Sequence, residues 1–420
     1  MKVLSVSTSD TTGGAARAAY RIHRAVNDLG VESRMFVKSK GTKGEDVVAL
    51  TRLVPNSPFY AVFDWIRNKC KNKLQQWAWE RYPDRSVFYM SDLRATDIFG
   101  ALRKLDYDVL HLHWINRRFL PLDKLPKDKP IVWTLHDSWP FCGICHLPME
   151  CRGFEKECGC CPSLKSDDPN DLSHRVWKKK SKIFSTLDLH IVAPSHWIAE
   201  SVRKSSLLGG FDIHVIPNCI DVELFCPGDR YEACERLHLD PSKAYILFGA
   251  MNAVRDDNKG YRFLVGALSA ISSSIHPEME VVVFGSNDSF DNTIAGIKVI
   301  DMGIVRDNLK LVSLYQAAAV SVVPSLSENL SCTIMESLSC GTPVVAFDIG
   351  GNKDMVEQKS NGYLAKEKNS SDLAEGILWC LENNKDGHLS RDARRKVLET
   401  FTPEIVGKQY IELYSSLIKR

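Results

Sequence analysis

Two glutamates stand eight positions apart in the stretch PSLSENLSCTIMESLSCGTPVV, residues 324–345: Glu328 in a polar loop, Glu336 inside an apolar run that stops at Gly341 and Pro343. The preceding residues, AVSVVPS, read as a buried strand whose carboxyl end delivers Ser325 to Asn329 to the sheet edge where open parallel sheets bind ligands. Ser331 is placed to cap a helix over 332–340. The first turn of that helix, Cys332, Thr333 and Ile334, then offers backbone N–H groups and the positive end of a dipole to an anion. Glu336, one turn deeper, could accept two hydrogen bonds from vicinal hydroxyls such as those of a ribose, and Glu328 could meet a second polyol beyond the anion. Ribose, pyrophosphate and hexose in that order describe a nucleoside diphosphate sugar. The spacing alone fits an ordinary capped helix with two solvated glutamates equally well.

The rest of the chain supplies cations and a close-approach loop. Arg255 and Lys259 lie in FGAMNAVRDDNKGYRFLVGAL, between a strand and a helix that starts near Gly260. Positive charge there could neutralise a leaving diphosphate, although by itself the stretch also reads as a solvated surface loop. Near the amino terminus, SVSTSDTTGGAARAAY reads as strand, small-residue loop and helix, with Gly13 and Gly14 letting a ligand approach the backbone. The stretch is not G-x-G-x-x-G, so a nicotinamide site is weakly supported.

These residues need a scaffold, and the pattern gives one. Strand-like runs KVLSVS, ESRMFVK, DVLHLHW, PIVWTLH and LHIVAPS alternate with helix-length segments. The alternation restarts with AYILFGA, MEVVVFG, KVIDMG, AVSVVPS and TPVVAF. The fold class expected is α/β, with two Rossmann-like, doubly wound parallel sheets facing across a cleft that holds the site. In the first helix Ala15, Ala18, Ala19, Ile22 and Val26 fall near one face. The join falls in VIPNCIDVELFCPGD, residues 215–229, giving domains 1–218 and 219–402, followed by an amphipathic terminal helix over about 403–420.

Composition narrows the class. The chain has 420 residues, 44% apolar and 25% charged, with no apolar stretch long enough to span a bilayer. MKVLSVSTSD reads as a first strand rather than an export signal, so a cytoplasmic protein is expected. The net charge of +2 conceals 33 Lys and Arg against 24 Asp and Glu in the first 218 residues, and the reverse imbalance afterwards. A basic first half favours an anionic substrate or membrane face and is too mild for nucleic acid. Residues 59–85, aromatic and basic with a helical stripe, either cover the core or lie on a lipid surface beside a lipid-linked acceptor. Asp106-Tyr107-Asp108 precedes its strand and reads as solvated rather than metal-binding.

His111 and His113 share one strand face near His136 and Asp137, a set more in keeping with packing than with metal. Six of thirteen cysteines crowd residues 142–161. Cys145, Cys151, Cys158 and Cys161 could hold a structural zinc; reduced packed thiols are an equal alternative and disulfides a lesser one.

Glu328-x7-Glu336 with CGTPVVAFDIGGNKDMV and NGYLA resembles the donor site of retaining glycosyltransferase family 4. NKG at 258–260, GG at 13–14, VIPNCIDVELFCP and APSHW at 193–197 follow in family order over nearly the whole chain. ENLSCTIMESLSCGTPVVAF and TLHDSWPFCGICH are most similar to the branch that builds bacterial exopolysaccharide, capsule and O-antigen, including colanic-acid-type enzymes. The resemblance implies a GT-B fold, no metal or other cofactor at the chemistry, and an active site on the cytoplasmic side, with the terminal helix packing back on the first domain. It implies that Glu336 binds the ribose and Glu328 the donor sugar. Asn329, Leu330 and Ser331 would then offer backbone, and Lys259 would grip the diphosphate. Gly14 would admit that diphosphate, and His136 would lie near the reacting centre. Two departures stand out: Val254 occupies the position of the usual arginine, leaving Arg255 as substitute, and Cys219 replaces a common glycine. The implied function is transfer of a hexose from a nucleotide sugar to a lipid-linked or oligosaccharide acceptor, with peripheral contact with the inner membrane. A nucleotide-sugar 2-epimerase and a non-catalytic nucleotide-sugar-binding subunit are the alternatives.

Overall fold

The computed structural model describes residues 1–49, 79–85, 105–117, 119–250, 254–271, 278–286 and 290–418. Most of the aromatic, basic segment 59–85 lies outside the described residues. The chain divides into two compact units, Met1–Ile216 with Gly407–Arg420, and Pro217–Val406.

The first unit is built on strands β1 (Lys2–Ser9), β2 (Glu32–Ser39), β3 (Val47–Ala49), β4 (Val109–Leu112), β5 (Ile131–Thr134), β6 (Leu189–Ala193) and β7 (Asp212–Val215). Their order is β3-β2-β1-β4-β5-β6-β7, and every pairing is parallel. The second unit contains β8 (Ala244–Gly249), β9 (Met279–Phe284), β10 (Thr293–Ile294), β11 (Ile297–Asp301), β12 (Val320–Val323), β13 (Val344–Phe347) and β14 (Gly362–Ala365). Its order is β10-β11-β9-β8-β12-β13-β14. Only the short β10–β11 pair is antiparallel.

Central strands are apolar without alternation because helices cover both faces of a parallel sheet; β4, β5, β6, β12 and β13 are buried throughout. The helix Gly14–Asp28 lays Ala16, Ala18, Ala19, Ile22 and Val26 against its sheet, and these small residues allow a close approach. Ala15, expected on that face, is only half-buried; Ala16 and His23 take the space. His23 is held by Ser33 Oγ at 2.8 Å and Asp46 Oδ2 at 2.9 Å.

Strand order reverses twice, between β1 and β4 and between β8 and β12. At such a switch point the loops leaving the carboxyl ends turn to opposite faces and open a crevice. The fold therefore singles out the residues after β1 and β4 in one unit and after β8 and β12 in the other.

The last helix, Pro403–Ile418, contributes its final turns to the first unit. The Tyr410 hydroxyl is 2.9 Å from Thr134 Oγ1 at the end of β5. The Tyr414 hydroxyl is 2.7 Å from His111 Nδ1 on β4, whose other nitrogen meets Thr134 Oγ1 at 2.8 Å. All four residues are buried, so each bond replaces one that water would otherwise make. Tyr414→Phe is expected to lower stability by about 1–3 kcal/mol, because it strands a ring nitrogen in the core. Urea denaturation monitored by tryptophan fluorescence measures this, and an unchanged midpoint would show that the bond contributes nothing.

Candidate active site

The second unit's switch point brings Lys259 and Glu328 together. Lys259 ends a 3₁₀ turn, Asp257–Lys259, beyond β8, and its Nζ lies 2.9 Å from Glu328 Oε1 in the loop after β12. The pair is mostly buried, with side-chain exposures of 28% and 17%. The Glu328 charge raises the Lys259 pKa above its ordinary value, against an opposing effect of burial, so the ammonium stays charged at neutral pH.

Three contacts fix the two loops. Asn258 Nδ2 donates to Ser327 O at 3.1 Å, and Leu326 N–H returns a bond to Asn258 O at 2.9 Å. Gly260 follows with φ +69°, and a Cβ there would fall 1.8 Å from Pro324 O. Gly350, with φ +53°, leaves no room either: its Cβ would lie 2.0 Å from Glu328 O, the atom that accepts from Gly351 N–H at 3.1 Å. Two glycines thus hold the backbone of Glu328 from behind.

The helix Cys332–Ser339 begins three residues after Asn329. Ser331 occupies its N-cap position, but its hydroxyl makes no capping bond, so that side chain takes none of the first-turn N–H groups. Cys332 and Thr333 are half-buried beside it, and Leu330 is buried. Glu336 is 2% exposed rather than solvated. The Tyr315 hydroxyl donates to its Oε2 at 3.1 Å, which orients the carboxylate. Arg255 lies exposed on the preceding loop, as does Val254.

In the first unit, Gly13 (φ +91°) is the N-cap of the helix Gly14–Asp28, and no side chain caps it. Ser9 Oγ accepts from Thr11 and Thr12 N–H and folds the loop that leads there. Asp10 anchors it from below, accepting from Gly41 N at 2.7 Å, Thr42 N at 2.9 Å and Thr42 Oγ1 at 2.6 Å. His113 and His136, after β4 and β5, stack with Nδ1 and Nε2 3.1 Å apart. Burial holds the His136 imidazole down to about 4, that of His111 down to about 3 and that of His113 well below 6.5, so all three are neutral at pH 7. Both nitrogens of His111 engage hydroxyls, which accounts for it by hydrogen bonding rather than metal. Asp106 pairs with Lys2 at the other end of the sheet.

A cavity of about 800 Å³ in the second unit lies at the wrong end for this chemistry, lined by Ala319 and Pro343, which precede β12 and β13. Its arginines Arg230 and Arg394 bind backbone carbonyls, which makes them structural.

Residues 12–224, just over half the chain, match the family described as Glycosyltransferase Family 4, and residues 243–383 match Glycosyl transferases group 1. The chain belongs to glycosyltransferase family 4. It is 26% identical over 383 residues to WcaC of Escherichia coli, named as a colanic acid biosynthesis glycosyl transferase, with 88% of each chain covered. A D-inositol 3-phosphate glycosyltransferase of Nocardiopsis dassonvillei is 29% identical over 178 residues, 39% of this chain and 40% of that one. Among solved structures, sucrose-phosphate synthase from Thermosynechococcus elongatus superposes with a TM-score of 0.66 at 18% identity, covering 100% and 99% of the two chains. Anabaena HepE in complex with UDP gives 0.64 at 19%, covering 99% and 100%. The fold is GT-B and the protein is a glycosyltransferase.

In this glycosyltransferase the donor-side residues expected from the sequence, Lys259, Glu328, Asn329, Leu330, Ser331, Cys332, Thr333 and Glu336, converge at one switch point. Gly13 and Gly14 follow β1 at the other, and His136 follows β5, one strand further on, paired with His113 after β4. Tyr315, Asn258 and Gly350 were missed. An Asn between two acidic residues and a lysine, or a tyrosine mid-helix, carries no signal of its own; only the two loops' proximity reveals the role.

Gly350→Ala should lower stability by about 1–3 kcal/mol and weaken nucleotide binding, because it adds both a left-handed strain and a collision with Glu328 O. Thermal denaturation with and without nucleotide measures both, and an unshifted melting temperature in both series would contradict this. A second expectation concerns acid. The histidines have folded pKa values below the unfolded 6.5, so between about pH 6.5 and 4 the unfolded chain binds protons that the native state refuses. Stability present at neutral pH should therefore fall on acidification, by up to about 1.4 kcal/mol per pH unit for each histidine. Urea midpoints that stay level from pH 7 to pH 5 would contradict it.

Proposed function

We propose that this family 4 enzyme moves a hexose from a nucleoside diphosphate sugar to a lipid-linked or growing polysaccharide acceptor, with retention at the anomeric carbon. The observation that carries the reading is the Lys259–Glu328 pair at 2.9 Å, set at the carboxyl ends of β8 and β12 with the buried Glu336 one helical turn beyond. A carboxylate held by a tyrosine hydroxyl suits the two hydroxyls of a ribose, the helix start suits the pyrophosphate, and Glu328 suits the sugar. HepE has been solved with UDP and with UDP-glucose, which supports a nucleotide-sugar donor. The WcaC likeness supports an exopolysaccharide product.

The chemistry follows from charge. Breaking the anomeric bond puts positive charge on the sugar and negative charge on the diphosphate. Lys259, with Arg255 and the first turn of the helix Cys332–Ser339, stabilises the second. The acceptor hydroxyl then attacks from the face the diphosphate leaves, and a departing phosphate oxygen takes its proton. In this scheme the positive charge comes from the chain itself, and no metal is required. His136, neutral at pH 7, serves as a hydrogen-bonding partner near the sugar rather than as a cation. Among the described residues no helix is long and apolar enough to cross a membrane. A lipid-linked acceptor, in this reading, is met by peripheral contact at the cytoplasmic face of the membrane.

Lys259→Ala should lower donor turnover by about 10²–10³-fold while changing the acceptor KM far less. Nucleotide release with and without acceptor measures this. Undiminished turnover in the variant would remove the assignment, and turnover of donor without acceptor would favour an epimerase.

A further inference from the structure

The loop between β5 and the helix Leu172–Phe184 packs five of its thiols around one small space. Cys142, Cys145, Cys151, Cys158 and Cys161 all line a cavity of about 20 Å³. Backbone N–H groups point at the sulfurs of three of them, and a fourth, Cys145, donates its thiol into the cluster. Gly153 N–H donates to Cys151 Sγ at 3.4 Å and Gly143 N–H to Cys158 Sγ at 3.2 Å. The backbone N–H groups of Ser163 and Leu164 lie against the Cys161 sulfur, which also bonds to the Cys145 thiol. The Cys145 thiol also donates to Ser163 Oγ at 3.5 Å. N–H groups aimed at a sulfur offset the charge of a metal-bound thiolate.

A second, independent feature stands beside this cluster. Lys180 is completely buried, with its ammonium 3.7 Å from the centre of the Trp139 ring. All its hydrogen bonds go to carbonyls, those of Trp139, Cys142 at 2.8 Å and Gly143 at 3.1 Å. The nearest carboxylate, Asp137, uses its oxygens on Trp114 Nε1 and Trp139 N–H. Burial pushes the Lys180 ammonium down to about 7, and the groups whose negative charge would hold it up are Cys142, Cys158, Asp137 and Cys145.

We propose that Cys145, Cys151, Cys158 and Cys161 bind one structural zinc ion as a four-thiolate site. Four thiolates around a divalent ion leave a net charge of −2, and the Lys180 ammonium beside them offsets half of it. Zinc is the ion that a tetrahedral set of soft sulfurs selects in a structural site. Among the described residues no three such side chains already stand at coordinating positions. A cysteine side chain turns on one bond, and metal binding would re-aim the four sulfurs into the cavity they line. The Cys142 sulfur makes no hydrogen bond into the cluster, whereas the Cys145 thiol bonds to Cys161 and Ser163, and Cys160 is exposed with its thiol bonded to Asp167 O, so neither Cys142 nor Cys160 belongs to the set. The ion would fix the loop that starts at His136 and Asp137, and so hold the first unit's reacting edge without entering the chemistry. Binding releases the thiol protons to solvent and involves no change in oxidation state.

Metal analysis of the full chain, expressed without a polyhistidine tag and purified without chelator, should give about one zinc per chain. An organomercurial should release that zinc with about four thiols, and cobalt(II) exchange should give the intense visible bands of tetrahedral thiolate coordination. Cys158→Ser and Cys161→Ser should each lose the zinc, whereas Cys142→Ser and Cys160→Ser keep it. The wild-type thiol count and cobalt spectrum decide the matter even where a variant fails to fold. Zinc-free protein that takes up none on exposure would overturn the proposal. So would iron in its place, zinc released without freeing thiols, or zinc retained in both serine variants.

Discussion

An ammonium and a carboxylate, 2.9 Å apart where β8 and β12 turn away from each other, organise the second unit. Each charge sits on a loop that would otherwise be mobile. The pairing is costly to desolvate, and the fold meets that cost by fixing the backbone on both sides. Asn258 ties one loop to the other, Gly260 lets Pro324 O approach, and Gly350 lets Glu328 O approach. The side chains arrive already oriented. On the proposed reading, a diphosphate that reaches Lys259 would meet a cation whose charge is maintained by its neighbour.

The first unit solves a different problem. His111 lies on a central strand and His113 and His136 just beyond two of them; burial keeps all three neutral, His111 bonds to two hydroxyls, and His113 pairs with His136. The two sheets thus divide the work between a fixed charge pair and a set of neutral hydrogen-bonding rings.

Legibility in the sequence followed the strength of the local signal. Every central strand was readable, because a strand buried on both faces is a mostly apolar run with β-branched residues in it. The four unread strands, β3, β7, β10 and β14, are the edges of the two sheets. They have two to four residues each, too few to establish a period, and β7 lacks full burial altogether. In the site, the glutamate pair and Lys259 were legible because charged residues at strand ends need a reason. Tyr315 was not, because a buried tyrosine usually reads as core, and only its 3.1 Å bond to Glu336 separates the two cases. Ser331 was legible as a helix start, yet not as one whose hydroxyl stays out of the cap. Gly350 shows the same limit: its glycine pair was visible, but a left-handed turn pressed on a carbonyl 22 residues away in the chain is a tertiary fact.

The bonds from Tyr410 and Tyr414 to β5 and β4 tie a segment that follows the second unit in the chain to the middle of the first sheet. The second unit's sheet is synthesised whole before the helix that satisfies His111 and Thr134 exists. Synthesis order and completion order are therefore reversed: the unit begun first is completed after the one begun second.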